Sequence, residues 1–140
     1  MKSYFLEDLS VGMSAETTNL VTEAVIQKFA DVSGDTNPVH LDADFAAKTS
    51  FGERIAHGML SGAYISAAIG TNLPGPGAIY ISQSLSFKRP VKIGVEVVTR
   101  VEITAIDEAK GRVTFATVCK VGGKAVVDGE AVVMVPRRSA

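Results

Sequence analysis

Two side chains in this sequence are suited by type and spacing to move protons: Asp35 and His40, a carboxylate and an imidazole five positions apart around Asn37-Pro38. Pro38 fixes its own φ and drives Asn37 toward extended backbone, so the stretch is expected to be a shaped loop and not a helix. An imidazole of ordinary pKa, near ~6.5, exchanges protons at neutral pH, and a positioned acid–base pair typically contributes about 10²–10⁴ in rate. The only other histidine, His57, precedes Gly58 and a run of small and apolar residues. That run reads as a bare helix N-terminus, whose unpaired N–H groups and positive dipole face an approaching oxygen. The backbone N–H of Gly58 is therefore a candidate oxyanion donor. Each residue also has a structural reading. His40 would cap a loop, Asp35 would be a solvated turn residue, and Gly58 would permit close packing. His57 is expected to fix the loop entering the helix and not to transfer protons. Asn37 is expected to set loop geometry, because Asx side chains bond local backbone readily.

These groups need elements to hold them. Residues 1–21 read as extended, with a turn at Gly12. Thr22 is a good N-cap for a helix with Val25, Ile26, Phe29 and Ala30 as its buried stripe and Gly34 as its stop. Asp42 is placed to cap a short helix from Ala43 to Lys48. The helix beginning at Gly58 is expected to run to about Ile69 and to end at Gly70. It is apolar or small on every side, the pattern of a buried helix. Past the break at Pro74-Gly75-Pro76-Gly77, everything reads as strand. Ile79, Ile81, Leu85 and Phe87 form one apolar face, and Gly122-Gly123 is a strong hairpin signal. Gln83 sits on the apolar side of its strand, so it needs an internal hydrogen bond or a polar pocket. Strands clustered after helices give an α+β fold, an antiparallel sheet of about five strands around one helix.

Composition narrows the function. A chain of 140 residues fits one domain, residues 1–140, with a real core. A net charge of −1 gives no electrostatic grip on nucleic acid or on a membrane surface. No stretch approaches the ~20 apolar residues of a membrane span. The amino-terminal residues carry acids where a secretion signal needs an apolar core. The single cysteine, Cys119, allows no internal disulfide and fits a reducing cytoplasm. It reads as a core residue. Two histidines without a cysteine partner make a poor zinc site, and the Gly-rich 70–77 segment lacks the pattern of a phosphate loop. No cofactor and no metal are expected. Lys88, Arg89 and Lys92 form a small basic cluster around Pro90, read either as a contact for a ligand's phosphates or as a solvated turn.

Three blocks in order, D-T-N-P-V-H-L-D-x-x-F-A, then H-G-M-L, then S-Q-S-L-S-F-K-x-P-V, resemble the MaoC-like, (R)-specific enoyl-CoA hydratases over roughly Phe29 to Glu96. The resemblance implies a single hot-dog domain with a curved sheet wrapped around the central helix. It implies reversible hydration of a short- to medium-chain trans-2-enoyl-CoA to an (R)-3-hydroxyacyl-CoA. Asp35 and His40 would handle the water and its protons, Gly58 the thioester oxygen, and Ser66 would orient Asp35. The implied partners are an acyl-CoA thioester substrate and a second copy of the chain, because an open sheet leaves edges to cover. Alternatives are a dehydratase of acyl-carrier-protein thioesters or of branched or dicarboxylic acyl-CoA, a hot-dog thioesterase, and a non-catalytic acyl-CoA binding module. The D-x4-H and H-G-M pattern favours hydration over the thioesterase, and the binding module has no need of a proton-transfer pair.

Overall fold

In the computed structural model, which describes residues 1–138, a 3-10 turn at Leu6–Asp8 leads into the edge strand β1 (Ser14–Leu20). Helix α1 (Glu23–Ser33) begins where the Thr22 hydroxyl accepts from the Val25 N–H at 3.1 Å and ends on Gly34 at φ 76°. Of its expected stripe, Ile26 and Ala30 are buried and Val25 and Phe29 pack partly against the core.

The next segment corrects the loop expected there. Pro38–Leu41 is a single helical turn, α2, with Pro38 in its first turn and the Asn37 side chain accepting from the Val39 N–H at 3.2 Å. Proline breaks a helix only in its interior; in the first turn it has no N–H to lose, and its φ suits the helix. Asp42 then caps α3 (Ala43–Ala47) as expected, accepting from Asp44 and Phe45 at 3.0 and 3.1 Å.

Helix α4 (Gly58–Thr71) lies in the concave side of the sheet. It passes through Gly70, which does not take a positive φ, and ends at Thr71, two residues beyond the expected Ile69. A helical glycine costs only about 1 kcal/mol relative to alanine, which tertiary packing overrides. Leu60, Ser61, Ile65, Ala68 and Ile69 are buried, whereas Met59, Ala63, Ser66, Ala67 and Gly70 stay exposed on the other face. The expectation of burial all round therefore holds for one face of the single chain.

The sheet is antiparallel throughout. Its strands are β1, β2 (Ile79–Gln83), β3 (Ser86–Phe87), β4 (Glu96–Asp107), β5 (Arg112–Val121) and β6 (Lys124–Met134), in the order β1-β4-β5-β6-β2. β3 continues β2 along β6: Gln83 pairs Ala131 and Phe87 pairs Val127. Six strands thus stand where about five were expected, the sixth being two residues long. The β5–β6 hairpin turns at Gly122 and Gly123 with φ 58° and 79°, as its sequence requires. Alternate residues of β4, β5 and β6 point at α4 and are buried, with Val97, Val101, Ile103, Val113, Phe115, Val127, Ala131 and Val133 at the centre. This is the wrapped-sheet arrangement that the hot-dog name describes.

Candidate active site

The end of α1, the α2 turn and the start of α4 converge on one place. Gly34 turns the chain out of α1, and the Ser33 hydroxyl accepts from the Asp35 N–H at 3.1 Å. The Asp35 carboxylate is exposed and accepts from the Asn37 N–H at 3.3 Å. Asn37 thus serves the backbone of the turn that carries both site residues.

His40 and His57 are both buried, and their rings stack with centroids 3.9 Å apart and planes at 28°. The Phe29 ring lies tilted against His57, with centroids 5.0 Å apart and planes at 55°. The hydrogen bonds settle the tautomers. His40 Nδ1 lies 2.7 Å from the Ile55 carbonyl, and a carbonyl can only accept, so Nδ1 carries the proton. Nε2 is left with a free lone pair. His57 Nε2 lies 2.9 Å from the carbonyl of Asp35 and donates to it, while its Nδ1 is buried without a partner. The second imidazole therefore clamps the Asp35 backbone and supports the His40 ring, and it has no open nitrogen for substrate. This agrees with the structural role expected of it.

One ligand atom from each of Asp35, His40 and His57 lies within 4.8 Å of the others, the spacing of a two-histidine, one-carboxylate metal site. Their geometry does not suit chelation. In-plane lone pairs on stacked rings run side by side and do not converge on one ion, and His57 Nδ1 is closed off.

His57 is the N-cap of α4 yet gives it no side-chain cap, so the first N–H groups of the helix stay available. A cavity of about 400 Å³ reaches both Gly58 and His40. A Cβ at Gly58 would stand 2.7 Å from Phe87 Cε1, so any side chain there would push the aromatic wall of the cavity aside. The His40 imidazole and the N–H groups at the start of α4 thus share one opening.

Ser66 is not brought to Asp35. It is exposed on α4 nine residues beyond His57, about 13 Å along the helix axis, and no hydrogen bond joins the two among the described residues. The orienting contact implied by the resemblance is absent from the single chain; the bonds to Asp35 come instead from Ser33, Asn37 and His57. Three other participants carry no sequence signal: the Ile55 carbonyl that sets the His40 tautomer, the Phe29 ring under His57, and the aromatic cavity wall.

Two other polar side chains, Gln83 and Cys119, bond within the protein. Gln83 donates to the Thr117 hydroxyl at 3.0 Å and accepts from the Tyr80 hydroxyl at 2.8 Å, which meets the internal bonding expected of it. Cys119 is buried beside Thr99, and burial pushes its thiol pKa up, so it is no nucleophile.

Residues 9–126 match the family model described as a MaoC like domain. The chain is 52% identical over 135 residues to an (R)-specific enoyl-CoA hydratase of Rhodospirillum rubrum, covering 96% of this chain and 94% of that protein. Among solved structures, the unliganded R-hydratase of Pseudomonas aeruginosa superimposes with a TM-score of 0.91 at 54% identity, over 96% of this chain and 86% of that one. The (R)-hydratase of Aeromonas caviae involved in PHA biosynthesis gives a TM-score of 0.90 at 46% identity, over 93% and 99%.

Proposed function

The chain belongs to the MaoC-like dehydratase family, and from that premise we infer that it is an (R)-specific enoyl-CoA hydratase, a hydro-lyase on acyl-CoA thioesters. It adds water reversibly to a trans-2-enoyl-CoA to give an (R)-3-hydroxyacyl-CoA. The observation that carries the chemistry is His40, its Nδ1 held on the Ile55 carbonyl and a ring nitrogen within 4.8 Å of an Asp35 carboxylate oxygen, beside the start of α4.

The roles follow from that geometry. Water sits between Asp35 and His40 Nε2. As its oxygen bonds C3, the C2=C3 electron pair moves toward the carbonyl carbon and charge builds on the thioester oxygen. The N–H of Gly58 and the α4 dipole stabilise that charge. Asp35 and His40 between them take one proton from the water and return one to C2, so the sum is the addition of one water molecule. His57 is a positioning residue: it clamps Asp35 through its backbone and holds the imidazole against which protons move. A non-catalytic binding module would have no use for this pair.

The enzyme is further proposed to be one such domain working as a homodimer in the cytoplasm, a setting that suits a single buried, unbridged thiol. Crotonyl-CoA tests the central reading. Loss of enoyl-thioester absorbance should accompany formation of the (R)-3-hydroxy product, and no turnover, or mainly (S)-product on chiral analysis, would overturn it.

A further inference from the structure

Ser61 is 2% exposed and lies one turn after Gly58 on α4. Its hydroxyl behaves unlike others at helix positions in this chain. Ser33 donates to the Phe29 carbonyl at 2.6 Å and Thr71 to the Ala67 carbonyl at 2.7 Å, the usual bond to the residue four positions back. The Ser61 hydroxyl makes no such bond to His57, and it has no hydrogen-bond partner among the described residues. The bond that joins Ser61 to Cys119, at 3.6 Å, runs from the thiol to the Ser61 backbone carbonyl. The Thr99 hydroxyl lies 3.3 Å from the same thiol, so the turn of α4 that carries Ser61 is held from below while its side chain is left unspent.

A hydroxyl in an apolar interior is costly without a partner. This one is not sealed in: the one fully enclosed side-chain nitrogen or oxygen that lacks a partner among the described residues is His57 Nδ1. Ser61 instead lines the cavity that reaches Gly58 and His40. Ala56, Val91 and Val127 are buried in the same lining, and His40 and Ser61 are the only polar side chains buried with them. Helix geometry aims the hydroxyl. Residues three apart share a helix face, and a helical side chain leans toward the N-terminus. Ser61 therefore leans back over the turn that begins at Gly58, and these two residues are where α4 lines the cavity.

We propose that Ser61 is a further catalytic residue, its hydroxyl a second donor to the thioester oxygen beside the Gly58 N–H. The proposal rests on the hydratase reading above. A carbonyl oxygen has two lone pairs and accepts two such bonds. As water adds at C3, negative charge collects on that oxygen, and a donor already aimed there needs no reorganisation. Burial strengthens the bond, because little water competes for it. The Ser61 proton stays on its own oxygen throughout, so the sum is still the addition of one water molecule.

Two measurements on the full chain test this: kinetics with crotonyl-CoA, and infrared spectra of bound butyryl-CoA isotope-labelled at the thioester carbonyl. Butyryl-CoA has no double bond to hydrate, so its carbonyl reports the contact without turnover. Ser61→Ala should lower kcat/KM at least about tenfold, mainly through kcat. Ser61→Cys, near serine in size but a weak donor, should lose about as much. The carbonyl band should lie at lower wavenumber on the wild type than in water, and should move back toward its free position in both variants. Thermal denaturation checks that alanine, the best helix former, leaves the fold intact. Unchanged kinetics in folded Ser61→Ala, full activity in Ser61→Cys, or a carbonyl band indifferent to both substitutions would each overturn the donor. A wild type that hydrates no enoyl-CoA yet shows a Ser61-dependent band would support the contact and overturn the hydratase reading.

Discussion

His40 owes its chemical direction to a group outside its own turn. The Ile55 carbonyl holds the proton on Nδ1 and so leaves Nε2 as the nitrogen open to exchange protons. The expected consequence is that either member of the pair can be removed without unfolding the chain but not without stopping the reaction. Asp35→Asn and His40→Gln should each lower kcat by at least about 10²-fold. Circular dichroism should show both variants folded, and near-normal turnover in either would refute the pair. Residue type and spacing suffice to single out Asp35, His40 and Gly58, because their chemistry is intrinsic and the α2 turn keeps the first two within one local unit. They do not disclose the cluster of Phe29, His57 and His40 rings, which joins three separate segments. Nor do they show that Ser66 stands away from Asp35. The helical register counts turns, not distance to another segment.

At the scale of the element, α4 combines two demands at its first residue. Gly58 must present its N–H to the cavity and must also leave room for the Phe87 ring, which a Cβ would meet at 2.7 Å. Phe87 is 55% exposed, so the ring can swing outward and the fold can survive an added methyl. Gly58→Ala is therefore expected to cost at most about 1–3 kcal/mol of stability, the usual range for overpacking. It should lower kcat/KM at least about tenfold, because the displaced ring and the new methyl both intrude where the thioester oxygen must sit. Thermal denaturation and steady-state kinetics check the two halves separately, and unaltered kinetics would remove Gly58 from the site. The start of this helix is legible in His57-Gly58, as are the Thr22 and Asp42 caps, because capping is local chemistry. Its end is less legible, since Gly70 stops a helix only where a positive φ is needed and here none is. The same limit explains α2: Pro38 excludes a helix interior but not a first turn.

For the whole molecule, the decisive asymmetry is between the two edges of the sheet. On β1 the exposed positions include Ser14, Glu16 and Thr18, polar side chains that blunt an edge. The opposite edge, β2 and β3, exposes Ile79, Tyr80, Ile81 and Phe87 at 60%, 37%, 42% and 55%. A long apolar edge left open is an aggregation hazard unless something pairs with it. The uncovered face of α4 brings Met59 and the small residues Ala63, Ser66, Ala67 and Gly70 to the surface as well. That face lacks the polar side a solvated helix needs. A second copy pairing edge to edge would cover both surfaces at once by two-fold symmetry, the commonest arrangement of oligomers. In the proposed dimer the apolar alternation of 79–87 marks a face buried by association and not only by folding. Light scattering at micromolar concentration should give twice the 14.7 kDa of one chain. Ile81→Glu on β2 should shift the mass toward a single chain and lower activity, whereas Thr18→Glu on β1 should leave the mass unchanged. A wild-type mass of one chain with full activity would refute the dimer, and dissociation by the β1 substitution alone would put the interface on the wrong edge.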